Sequence, residues 1–80
     1  MPTVFRFAGY RVVIYPADHE PSHVHVVGAG NEVVFNLNCP QGPVALRENY
    51  GFSRKAVAQI RRELDRALAP LCEEWSNIHG

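Results

Sequence analysis

The stretch His23-Val24-His25-Val26-Val27 alternates between polar and apolar side chains, and this alternation is the starting point for predicting the fold. Successive side chains of a β-strand point to opposite faces, so Val24 and Val26 share one face and both histidines share the other. Valine is also enriched in strands, because its branched side chain packs well on a pleated surface. The stretch therefore predicts a strand with one face turned toward an apolar core.

Segments of similar character flank this strand on both sides. Upstream, residues 4–7 and 10–15 surround Ala8-Gly9, and a two-residue turn that ends in glycine is typical of a tight hairpin. Downstream, residues 32–37 alternate in the same way, and residues 44–46 are expected to add a short edge strand. Together these segments predict an antiparallel meander of four or five strands.

The chain changes character near residue 50, since nine of its ten valines lie before that point. Ser53 is a good helix N-cap. The apolar residues that follow recur at steps of three or four and form one stripe: Val57, Ile60, Leu64, Leu68, Leu71 and Trp75. Pro70 cannot continue a helix undisturbed, so we expect a kink or break near Ala69 and a second short helix that ends around Asn77.

The predicted fold class is therefore α+β, an antiparallel meander of four to five strands with a C-terminal helix packed on one face and broken near Pro70. A chain of 80 residues is long enough for one domain, which we place at residues 1–80. Residues 1–47 are its strand-rich half and residues 53–78 its helical half.

Composition excludes several classes of function. Eight basic and eight acidic residues give a net charge of zero, which argues against polycations that neutralise many phosphates and against acidic DNA mimics. A domain of this size buries only about 60% of the surface of its unfolded chain, so it needs a partner or a covalent staple to be more than modestly stable.

The sequence shows neither an apolar run long enough to span a bilayer nor a secretory signal. We therefore expect a cytoplasmic protein with no membrane partner. In a reducing compartment a structural disulfide is disfavoured, so Cys39 and Cys72 are expected to be free, buried or half-buried thiols.

The histidines of one loop and strand are the sharpest local signal. His23 and His25 stand about 7 Å apart on one strand face, and His19 lies in the preceding loop between two carboxylates. Three imidazoles suit a divalent metal such as zinc or manganese, or general acid–base cleavage of RNA. The alternative is a polar strand face that meets solvent, and on that interpretation no cofactor is bound and no residue is catalytic.

The predicted helix supplies a second signal. Residues 53–66 carry five basic and two acidic side chains, a local net charge of +3. These basic residues are the candidate binding residues: Arg54, Lys55, Arg61, Arg62 and Arg66. Two of them lie in the first turn, where the helix dipole disfavours cations, which suggests an acidic surface or a phosphate as partner. A merely solvated helix face is the alternative.

Three segments together resemble one small bacterial family, the domain of unknown function 4160. They are Met1-Pro2-Thr3-Val4 with Arg6, the stretch from Asp18 to Val26, and Asn49-Tyr50-Gly51-Phe52-Ser53 at the start of the basic helix. The sequence departs from the family pattern at Ser22 and at Pro70. The resemblance implies a setting on mobile elements and a suspected toxin–antitoxin component, and it implies no established catalytic residue, cofactor or substrate.

We therefore expect a small non-catalytic binding module rather than an enzyme. It would act on a protein or nucleoprotein complex in mobile-element conflict, either as a toxin–antitoxin-like component or as an inhibitor of a defence system such as an anti-CRISPR. The first alternative is a His-dependent or metal-dependent RNase or nuclease toxin that uses His19, His23 and His25. The second is a DNA-binding regulator, which would contact nucleic acid through the basic helix face. A homodimer that covers an exposed sheet edge is a further expectation.

Overall fold

The computed structural model describes residues 3–79, so Met1 and Pro2, which contribute to the family resemblance, and Gly80 lie outside the described residues. Five strands precede two helices: β1 (Thr3–Phe7), β2 (Tyr10–Val13), β3 (His23–Gly28), β4 (Asn31–Asn36), β5 (Ala45–Tyr50), α1 (Arg54–Arg66) and α2 (Leu68–His79). The strands form one antiparallel sheet in the order of the chain. The predicted α+β meander is confirmed.

The edge strand β5 is longer than the sequence predicts. The sequence predicts a strand over residues 44–46, whereas the strand runs over Ala45–Tyr50 and all six of its residues are exposed. The hydrophobicity pattern does not show the full strand, because three polar residues follow one another within it: Arg47, Glu48 and Asn49. Backbone pairing with β4 holds it in the sheet, with an irregular register opposite Val34 and Phe35.

Ser53 and Pro70 account for where the two helices begin, and the break between the helices lies at Ala67. Ser53 caps α1, because its Oγ accepts a hydrogen bond from the backbone N–H of Ala56 at 3.1 Å. The predicted break is confirmed, although it falls at Ala67 rather than at Ala69. Pro70 lies in the first turn of α2, where its missing amide proton leaves no helical hydrogen bond unmade. The second helix ends at His79, two residues beyond the predicted Asn77.

The core lies between the sheet and the two helices. Val24 and Val26 of β3 are fully buried, as predicted, and they share the core with Ile60 and Leu64 of α1 and with Trp75 of α2. The apolar stripe of the sequence thus forms the inner face of the helical layer. Burial of this stripe against the sheet is the main stabilising interaction of the domain.

The prediction of two free thiols is wrong, because Cys39 and Cys72 form a disulfide. Cys39 lies in the loop between β4 and β5, and Cys72 lies in α2. The prediction rested on an assumed compartment, and it did not take into account that the fold brings this loop against the helix. The bridge is a covalent staple that adds to the modest stability of a domain of this size.

Within residues 3–79, each helix is too short or too polar to cross a lipid bilayer.

Candidate functional site

The loop between β2 and β3 folds back so that Asp18 faces the histidines of β3. Its turn is held by two hydrogen bonds: the backbone N–H of Tyr15 donates to Asp18 Oδ2 at 3.2 Å, and the N–H of Asp18 donates to the Tyr15 carbonyl at 2.9 Å. The carboxylate of Asp18 is therefore positioned by the backbone of its own turn, an arrangement typical of Asp in loops.

Asp18, His23 and His25 form a compact cluster, which we call the Asp-His cluster. Asp18 Oδ2 lies 3.4 Å from Nε2 of His23 and 3.3 Å from Nε2 of His25. The three ligand atoms all lie within 4.8 Å of one another. The exposed fractions of the side chains are 18% for Asp18, 7% for His23 and 16% for His25, so the cluster is mostly withdrawn from water.

The other nitrogen of each imidazole has its own partner. His23 Nδ1 lies 2.8 Å from the carbonyl oxygen of Pro21, and His25 Nδ1 lies 2.7 Å from Glu32 Oε2. A carbonyl oxygen and a carboxylate only accept, so each Nδ1 carries the proton and donates it. In the neutral imidazoles the lone pairs are then on the Nε2 atoms, which lie 3.4 Å and 3.3 Å from Asp18 Oδ2.

Aromatic rings hold the two imidazoles in place. The ring of Tyr15 meets His25 edge-on with a centroid separation of 4.7 Å, and Trp75 packs at 5.3 Å from His23. The indole N–H of Trp75 donates to Glu20 Oε1 at 2.7 Å, which fixes the indole over the loop. His25 also sits in register between Val13 of β2 and Val34 of β4 on the same face. The histidine face of β3 is thus a packed surface and not a solvated one.

The structure brings together two of the three predicted histidines. His19, which the sequence predicts as the third member, is exposed and lies outside the cluster. Asp18 is the third member instead. The role of Glu32 was missed. Hairpin register contains the signal, because pairing of Gly28 with Asn31 places Glu32 diagonally across from His25 on one face.

The candidate binding residues of α1 divide into two groups. Arg54, Arg61 and Arg62 line a groove of about 390 Å³ between α1 and β5, which we call the α1–β5 groove. Lys55 and Arg66 are exposed on α1 but do not line it. The remaining lining residues are apolar or neutral: Leu46, Asn49, Val57 and Ala58.

The groove carries uncompensated positive charge. Within the part of the chain that the structure describes, Arg66 forms an ion pair with Glu63 at 3.2 Å, and no carboxylate pairs with Arg54, Arg61 or Arg62. The guanidinium carbon of Arg61 lies 5.9 Å from the centroid of the Phe35 ring, so the Arg61 side chain also covers core surface.

The turn between β5 and α1 fixes the helix beside the edge strand. Asn49 holds this turn with both ends of its amide, since it donates to the Phe52 carbonyl at 2.9 Å and accepts from the Phe52 N–H at 3.1 Å. Gly51 adopts a φ of +103°, which only glycine adopts without strain. The segment that contributes to the family resemblance is thus the hydrogen-bonded turn that joins the two sides of the groove.

Comparison with known proteins identifies the family. Neither the curated proteins nor the solved structures contain a match to this chain. The model of one family, described as Domain of unknown function (DUF4160), matches residues 9–76, a span that includes the whole Asp-His cluster and both sides of the α1–β5 groove. The chain therefore belongs to the Domain of unknown function (DUF4160) family.

Proposed function

We propose that this chain is a non-catalytic binding module, and that its α1–β5 groove takes an extended, acidic segment of a partner protein. The observation that carries the proposal is the combination of an apolar groove floor with three arginines that have no carboxylate partner in residues 3–79. Charge complementarity selects a partner segment with Asp or Glu side chains.

Exposed apolar surface in the groove supports a protein partner. Leu46 is 45% exposed on the edge strand, and the exposed Ala58 and the largely buried Val57 of α1 continue the apolar lining of the groove. A peptide that alternates acidic and apolar residues would place the apolar side chains on this lining and the carboxylates on the arginines.

The edge position of β5 favours an extended partner segment. β5 is the outer strand of the sheet, and all six of its residues are exposed. An outer strand presents unpaired backbone groups on one side, and an added peptide strand satisfies them while its side chains occupy a neighbouring groove. Affinity and side-chain selectivity thus come from two separate parts of one surface.

The test is a selection with a displayed library of random ten-residue peptides. We expect enriched peptides to alternate apolar residues with Asp or Glu. Arg54→Glu combined with Arg62→Glu should weaken the enriched peptides at least about tenfold, because the groove loses two cations and gains two anions. Hydrogen exchange at the backbone amides of β5 should slow when such a peptide binds.

A matched control is present on the same helix. Lys55→Glu combined with Arg66→Glu makes the same change in net charge, with one substitution again in the first turn and one near the end of α1. This pair lies outside the groove, so peptide affinity should stay within about twofold of the original value. Equal losses in both double variants, or enriched peptides without acidic residues, would contradict the proposal.

Nucleic acid is the competing ligand for the same arginines. A fluorescein-labelled 20-nucleotide single strand and a 20-base-pair duplex, each titrated at two salt concentrations, distinguish the two classes of partner. Strong, salt-dependent binding of either probe that depends on Arg54 and Arg62 would replace the protein segment with nucleic acid and support the DNA-binding alternative. Light scattering of the chain alone tests whether a second copy covers β5 instead.

The nuclease alternative receives less support from the geometry. His19 is exposed and apart from the other two histidines, and both remaining imidazoles are held by the Pro21 carbonyl and the Glu32 carboxylate. The setting in mobile-element conflict follows from the family resemblance and stays a prediction, which identification of the bound partner segment would test.

A further inference from the structure

We propose that the Asp-His cluster is a binding site for one divalent metal ion of the zinc class, with Asp18 Oδ2, His23 Nε2 and His25 Nε2 as its protein ligands. This inference goes beyond the proposed binding of a protein segment and does not depend on it.

Three atoms that can ligate a metal converge in the cluster: Asp18 Oδ2, His23 Nε2 and His25 Nε2. Both Nδ1 atoms donate outward, to the Pro21 carbonyl and to the Glu32 carboxylate, so in the neutral imidazoles both Nε2 atoms carry the lone pairs that can ligate a metal. Nε2 of His25 is buried and has no hydrogen-bond partner among the described residues, because its 3.3 Å contact with Asp18 lacks hydrogen-bond geometry. A buried polar atom without a partner is costly. A cation among the three atoms removes this cost.

Both spacings between Asp18 and the histidines fit a tetrahedral metal ion. With metal–ligand bonds of about 2.0–2.1 Å, two ligand atoms of a tetrahedral site lie about 3.3–3.4 Å apart. Asp18 Oδ2 lies at 3.4 Å and 3.3 Å from the two nitrogens. Two of the three spacings therefore have the length of a tetrahedral edge, and the two nitrogens lie within 4.8 Å of each other.

The outer partners of the imidazoles are those of a metal site. An imidazole ligand usually donates its second N–H to a carboxylate or a carbonyl, which fixes the tautomer and increases the basicity of the ligating nitrogen. Here Glu32 has this role for His25 and the Pro21 carbonyl has it for His23. A solvated strand face does not require such partners.

The ligand set indicates which ions are preferred. Two imidazoles and one carboxylate suit zinc and neighbouring first-row ions, whereas magnesium and calcium prefer oxygen ligands throughout. Three protein ligands leave a fourth tetrahedral position for a water molecule or another ligand.

The test uses the tag-free chain with its disulfide intact, after removal of metal with a chelator. Zinc is titrated against a chromophoric competitor, and cobalt(II) serves as the spectroscopic probe of geometry. We expect one ion per chain and the intense visible absorption of tetrahedral cobalt. Asp18→Asn and His25→Gln should each lower zinc affinity at least about 100-fold.

Two further variants separate metal ligation from a purely structural role. His19→Gln alters an exposed imidazole of the same loop and should leave affinity within about twofold. Glu32→Gln retains an acceptor for His25 Nδ1 but removes the charge, so affinity should fall about tenfold while circular dichroism stays unchanged. Three results would each overturn the proposal. They are the absence of saturable zinc binding, a loss of zinc affinity in His19→Gln as large as in His25→Gln, and an unchanged zinc affinity in both Glu32→Gln and a folded Asp18→Asn.

Discussion

The Cys39–Cys72 bridge should contribute a large share of the stability of this domain. It joins residues separated by 33 positions, from the β4–β5 loop to α2. In the chain-entropy treatment, a closed loop of this size stabilises the folded state by about 3–4 kcal/mol at 25 °C, because it restricts the unfolded chain. The double change Cys39→Ser with Cys72→Ala should therefore lower the free energy of unfolding by this amount.

Urea denaturation followed by circular dichroism measures this loss. We expect the midpoint to fall, and the dependence on urea to steepen, because the unfolded chain without a cross-link exposes more surface. The melting temperature should fall by about 15–30 °C, at roughly 4–8 °C per kcal/mol for a domain of this size. Reduction of the original chain should reproduce both changes, whereas the same reductant should leave the double variant unaffected.

A loss below about 1 kcal/mol would refute this reasoning, provided that a thiol assay finds no free cysteine in the original chain. Two free thiols in the folded, oxidised protein would instead refute the bridge itself. The two results are distinguishable, since the first concerns the entropy of the unfolded chain and the second concerns the pairing.

Two further predictions concern the β5–α1 turn and the end of the edge strand. Gly51→Ala should lower the free energy of unfolding by about 1–3 kcal/mol, because a φ of +103° strains alanine and the added Cβ overlaps Asn31 Oδ1. Gly30 has a φ of +78° and open space around it. Gly30→Ala should therefore lower the free energy of unfolding by less in the same urea assay. The pKa of Tyr50 is raised, chiefly because its hydroxyl donates a hydrogen bond to the Glu48 carboxylate. In Glu48→Gln this pKa should fall toward the ordinary phenol value, as measured by ultraviolet absorbance against a Tyr50→Phe reference.

The periodicity of the sequence predicts the layers of the fold because burial is what produces that periodicity. Val24 and Val26 alternate with histidines since only one face of β3 meets the core, and the stripe through Ile60 and Leu64 follows the inner side of α1. The full length of β5 is not visible in the same way. All six of its residues are exposed, and all but Arg47 pair with β4 through the backbone, so the strand has no apolar pattern to detect.

The candidate site depends on contacts that local patterns do not encode. Asp18 rather than His19 faces β3 because a turn at Tyr15 orients its carboxylate, and a one-residue difference in a loop has no periodic signature. The Cys39–Cys72 pair and the contact of Trp75 with Glu20 each join distant parts of the chain. Such contacts follow from how α2 crosses the loops, which depends on the whole fold.

The two ends of the sheet differ in how they are held together. In this meander the tight turns at Ala8-Gly9 and Ala29-Gly30 occupy one end, and both long loops, β2–β3 and β4–β5, occupy the other. A two-residue turn has few backbone conformations to lose, whereas ordering a long loop costs more conformational entropy.

At the long-loop end α2 provides this order through separate contacts. The disulfide ties α2 to the β4–β5 loop, and the indole of Trp75 ties it to Glu20 of the β2–β3 loop. The two loops also meet each other, since the N–H of Leu37 donates to the Ser22 carbonyl at 2.9 Å. The proposed metal ion would add a further tie, between Asp18 in the loop and the histidines of β3. A reductant and a chelator therefore act on the same end of the molecule. The turn between the two sides of the α1–β5 groove is held by Asn49, Gly51 and the cap at Ser53, and neither reagent changes these residues.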